Sequence, residues 1–170
     1  MAVDQKAPLE LKCKLRERPN PIGRRFVLPS GKAVMGYNLM KVRTTAAAAT
    51  LVLDKDTGLG YVALQNNELY TVTAHLVATQ VAGSAGTVGD SAVMQLAAGA
   101  KRLATAGTTA LVGAVVPVLA VADAGAAAWT AVLAADAVNG GLKVTVTGAV
   151  NKTIDWEVAL YIEIGLPIVP

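Results

Sequence analysis

The segment from Thr153 to Ile164 constrains this chain most. There Ile154, Trp156, Val158, Leu160, Ile162 and Ile164 alternate with Asp155, Glu157, Ala159, Tyr161 and Glu163. A period of two sends successive side chains to opposite faces of a strand, so the segment predicts a β-strand with one face in a core. The same rhythm sets Tyr70, Val72, Ala74, Leu76 and Ala78 against Thr71, Thr73, His75 and Thr79, and Leu142, Val144 and Val146 against Lys143, Thr145 and Thr147. The remaining periodic segments are mostly short, β-branched and bounded by turn residues. The expected fold is therefore all-β: a single β-sandwich, jelly-roll-like, with an extended basic N-terminal arm.

Length is sufficient for this, since 170 residues can bury one core without a metal or disulfide. Cys13 is the only cysteine, which excludes an intramolecular disulfide and points to a reducing compartment. Pro8, Pro19, Pro21 and Pro29 oppose a long helix, so residues 1–32 read as extended, followed by a strand over Ala33 to Arg43. The chain divides into residues 1–43, the arm with a first strand, and residues 44–170, the sandwich. Within the latter, Leu142–Thr147 and Thr153–Ile164 predict a hairpin through Gly148–Lys152. Strands over Thr108–Val112 and Val115–Val121 contain Pro117, which suggests an edge or a bulge. The alanine-rich stretches 46–49, 97–106 and 124–128 argue the other way, as helical turns.

Charge is unevenly placed. Residues 1–43 hold ten Lys and Arg against Asp4, Glu10 and Glu17, so of the net +3 the arm carries +7 and the remainder −4. Such an arm can neutralise phosphates or an acidic protein surface. With only Phe26 and Tyr37 as aromatics and no helix-turn-helix or finger spacing, a protein-docked arm is expected rather than nucleic-acid binding. Leu103 to Ala122 runs 20 residues without a charge, long enough to span a bilayer. Its threonines, glycines, Pro117 and the turn-like Thr105-Ala106-Gly107-Thr108 oppose a membrane span. The start of the chain lacks the apolar core of a secretory signal, so no export is expected.

Chemistry-bearing motifs fail individually. His75, the only histidine, sits on a Thr-rich strand face, and Gly89-Asp90-Ser91 lacks the nucleophile-elbow pattern. Asp54-x-Asp56-x-Gly58 is too short for a calcium loop and lacks its closing Glu, so it reads as a turn. Gly83, Gly86 and Gly89 lack the lysine of a phosphate loop. Asn151-Lys152-Thr153 matches a glycosylation acceptor without a signal to deliver it. Trp129 and Trp156 have apolar neighbours and are expected in the core. No enzyme, metal or cofactor is expected.

As an ordered set, Tyr70–Ala78, Gly89–Ala92, Asn139–Gly148 and Thr153–Val158 resemble a β-sandwich module found among virion proteins of tailed bacteriophages, over about Tyr61 to Ile164. Such modules look like parts of head decorations, head fibres and tail fibres, so the resemblance implies a virion component made in the host cytoplasm. The basic arm, the compact size and the absence of stalk heptads then point to a decoration or cement protein on the capsid exterior, partnered by the major capsid protein. Lys12, Lys14, Arg16, Arg18, Arg24 and Arg25 are the expected capsid-binding residues. The apolar Leu166, Ile168 and Val169 are expected contacts of a homo-oligomer, a trimer by preference. The alternative is a tail fibre or baseplate component that binds a host receptor or glycan, with the Asn66-Asn67-Glu68 turn its one candidate loop.

Overall fold

The computed structural model describes residues 24–27 and 33–168. Their strands are β1 (Arg24–Val27), β2 (Ala33–Thr44), β3 (Ala49–Leu51), β4 (Leu53–Asp54), β5 (Val62–Ala63), β6 (Glu68–Gly83), β7 (Ser91–Arg102), β8 (Ala110–Ala122), β9 (Thr130–Asp136), β10 (Gly141–Thr147) and β11 (Lys152–Pro167). They form an all-β sandwich, as the alternation requires. The larger sheet has the antiparallel order β1-β2-β11-β6-β7-β8, with β4 also paired to β2. The smaller places β10 between β9 on one side and the short β3 and β5 on the other.

Alternation decides which face is buried. Tyr70, Val72, Ala74, Leu76 and Ala78 of β6 and Ile154, Trp156, Val158, Leu160 and Ile162 of β11 point inward, against Leu133 of β9 and Leu142, Val144 and Val146 of β10. Each large apolar side chain removed from water contributes about 1.5–3 kcal/mol. Trp129 and Trp156 both lie in the core, as expected, with ring centroids 5.9 Å apart. The Trp156 Nε1–H donates to Thr44 Oγ1 at 3.0 Å, so this indole buries no unpaired donor, whereas the Trp129 Nε1–H has no partner among the described residues.

The predicted hairpin is not formed. β10 pairs with β9, β3 and β5, whereas β11 pairs with β2 and β6, so the connection through Gly148–Asn151 crosses from one sheet to the other. The two apolar faces oppose each other across the core instead of lying side by side. The alanine stretches are not α-helical: Ala97, Ala98 and Ala100 belong to β7, and residues 124–126 form a single 3₁₀ turn. Propensity is a weak prior, and the buried Ala100 and Ala126 are held by packing.

The uncharged run 103–122 folds as a loop, a 3₁₀ turn over Ala106–Thr108 and β8. No helix among the described residues is long and apolar enough to cross a membrane. β8 lies at the edge, as Pro117 suggested, and the register against β7 slips between Gln95 and Leu96 and again between Ala97 and Gly99. Each slip is a bulge on the β8 side, and one holds Gly113 at φ +78°.

Candidate functional site

The outward faces of the larger sheet carry what chemistry this fold displays. Pairing sets them in rows. One runs Tyr37, Tyr161, Thr73, Ala97 and Val116, and the next Leu39, Ala159, His75, Gln95 and Leu119. A third runs Lys41, Glu157, Val77, Val93 and Val121. In a fourth, the Arg43 Nε and Nη2 groups donate to the Asp155 carboxylate at 2.5 and 2.7 Å. That fork holds Asp155 below the usual carboxylate range and is exposed, so it contributes little to stability.

Two features stand out on this face. The first is a depression of about 290 Å³ lined by Thr71, Thr73 and His75 of β6, Gln95 of β7, and Tyr161 and Glu163 of β11. The Tyr161 ring is held between neighbours: His75 meets it edge-on at 5.2 Å and Tyr37 lies tilted at 6.0 Å. None of the six lining side chains hydrogen-bonds to another described residue, unlike Thr79 and Ser91 farther along the same strands. The second is the apolar edge. Val116 and Val118 of β8 are 56% exposed and Val121 54%, and Val77 and Val93 continue the exposed surface inward.

A hydrolytic serine is not assembled. Thr79 pairs with Ser91 and His75 with Gln95, so histidine and serine stand four residues apart along the strands, about 13 Å. The Ser91 hydroxyl donates to the Gly89 carbonyl at 2.8 Å instead. Asp54 is committed to its turn, accepting from the Asp56 and Thr57 amides and the Thr57 hydroxyl. No group of three or more potential metal ligands occurs among the described residues. The Asn66-Asn67-Glu68 turn is also structural: Asn67 takes φ +57°, its carbonyl accepts from the Ile168 amide at 2.8 Å, and Glu68 accepts from the Tyr70 hydroxyl at 2.7 Å. Burial and then that carboxylate raise the Tyr70 pKa.

Of the predicted capsid-binding residues, Lys12, Lys14, Arg16 and Arg18 lie outside the described residues, while Arg24 and Arg25 belong to β1. Among the predicted oligomer contacts, Leu166 is in β11, Ile168 is half-buried beside the Asn67 turn, and Val169 lies outside the described residues. Sequence reading did not find the depression. Its two halves are visible as the outward residues of separate strands, but only the β6–β11 register brings Thr71 beside Glu163 and Thr73 beside Tyr161.

No family model matches the chain, and no curated protein matches it. Among solved structures, a tailspike protein of Acinetobacter baumannii phage AM24 is similar at a TM-score of 0.45 and 9% identity, over 76% of this chain and 26% of the tailspike. This chain thus spans about a quarter of that protein's length, and a likeness of this size assigns neither family nor role.

Proposed function

We propose that this chain is a structural virion protein that decorates a bacteriophage capsid, binding the outer surface of the major capsid protein shell as a homo-oligomer. The observation that carries an assembly role is β8, an edge strand with no charge from Leu103 to Ala122 and with Val116, Val118 and Val121 open to solvent. Edge strands that stay monomeric usually bear charges, and a broad exposed apolar surface marks an interface. Its bulges and Pro117 interrupt the backbone ladder, which favours contact through side chains around a symmetry axis over strand addition. The virion context comes from the ordered segments that resemble phage sandwich modules. They occupy β6, the approach to β7, β10 and β11, the strands that build both sheets. The +7 arm then supplies multivalent attachment across neighbouring shell subunits.

Truncation of residues 1–23, a cut placed before β1, tests the attachment step. Capsid binding by the truncated protein is expected to vanish while its melting temperature holds. The truncated protein keeps Arg24 and Arg25, so full decoration by it and by a version that also carries Arg24→Ala and Arg25→Ala refutes the arm's role. Copy number per particle, by cryo-electron microscopy with quantitative mass spectrometry, tests location: hundreds of copies support decoration, and a few at one vertex place the protein in the tail.

A further inference from the structure

We infer that the depression on the larger sheet is a saccharide-binding site, independent of the surface that would hold copies together. The lining mixes hydroxyls (Thr71, Thr73, Tyr161), an amide (Gln95), an imidazole (His75) and a carboxylate (Glu163), so donors and acceptors converge on one space. Sugar hydroxyls both donate and accept, and such a mixed set matches them. These side chains have no hydrogen-bond partner among the described residues, so a ligand gains bonds without breaking internal ones.

Tyr161 supplies the apolar counterpart. It is half-buried, and the His75 and Tyr37 rings beside it restrict its motion, so the part of the ring that stays exposed is a preorganised apolar surface for the C–H groups of a pyranose. The volume of about 290 Å³ is at the small end of ligand clefts, about 300–1,000 Å³, and suits a sugar unit of a longer glycan. Charge narrows the class further. Among the described residues, Glu163 is the only charged one lining the depression, so phosphorylated, sulfated and uronic ligands are disfavoured there against neutral or amino sugars. Each site is shallow and weak alone, and many copies on one particle would multiply its effect.

The test is saturation-transfer NMR on the full chain with chitotriose and maltotriose as neutral probes and trigalacturonate as the anionic one. Transfer to a neutral probe is expected, with trigalacturonate poorer. Gln95→Ala and Glu163→Gln should each weaken binding roughly tenfold with unchanged melting temperature. Tyr161→Ala should abolish it, its fold being checked by Trp129 and Trp156 fluorescence; if that variant unfolds, the other two decide. No transfer to either neutral probe at millimolar concentration, a preference for trigalacturonate, or binding that survives Gln95→Ala and Glu163→Gln overturns the inference. Because the assay uses isolated protein, its failure leaves the capsid-attachment experiment undecided, and the reverse holds too.

Discussion

Asp54 sits where β4 meets β2, and both of its oxygens are engaged. Oδ1 accepts from the Asp56 amide, the Thr57 amide and the Thr57 hydroxyl at 2.7–3.0 Å, while Oδ2 accepts from Asn38 Nδ2 at 2.9 Å. Burial alone would raise its pKa, but the hydrogen bonds outweigh burial and the net shift is downward. The folded-state value thus lies below the unfolded value of about 3.9. Its contribution is present above that value and is lost as pH falls through the depressed one. Asp54→Ala should cost about 1–3 kcal/mol at neutral pH and flatten the acid limb of the melting-temperature profile, measured by circular dichroism. Lys152 is the second such residue. Only 8% exposed, it donates from Nζ to the Gly125 carbonyl at 2.6 Å, lies 3.5 Å from Asp90 and stands over the Trp129 ring. Lys152→Met keeps the stem but strands both acceptors, so a loss of about 2 kcal/mol is expected in urea unfolding. The sequence reading left Lys152 in the connection before the strand, whereas β11 begins with it, in phase with the inward Ile154; its partners Asp90, Gly125 and Trp129 lie on other elements and were invisible in sequence.

At the scale of elements, period two told which residues face the core but not which strands lie side by side. Two apolar-faced strands joined by a short connection satisfy alternation equally as a hairpin in one sheet or as opposed strands of two, and β10 and β11 adopt the second. The same ambiguity hid the depression, whose halves meet only through the β6–β11 register, whereas the edge position of β8 was legible because Pro117 cannot serve a central ladder. β8 also yields a test of assembly. Val121→Lys places a charge on an outward, already exposed position, so monomer stability should change by no more than about 0.5 kcal/mol. Sedimentation velocity should nevertheless show the oligomer dissociated; an unchanged sedimentation coefficient would remove β8 from the interface.

Over the whole molecule, the sequence-adjacent pairs β6–β7, β7–β8 and β9–β10 are tied together by pairing between strands distant in sequence. β11 lies between β2 and β6, and its ladder with β6 is the longest of the fold; Trp156 stands opposite Val42 on one side and Ala78 on the other. Such non-local topology folds slowly, in about milliseconds to seconds, and stopped-flow tryptophan fluorescence should place this chain in that range. A chain ending at Val150 lacks β11, leaves β2 and β6 with bare apolar-backed edges and should be recovered as aggregate, checked by sedimentation of the lysate. During synthesis this order acts as a checkpoint. Until β11 has emerged, β2 and β6 have no common partner and the larger sheet stays in two pieces, so a truncated chain exposes apolar faces and strand edges that the finished fold covers.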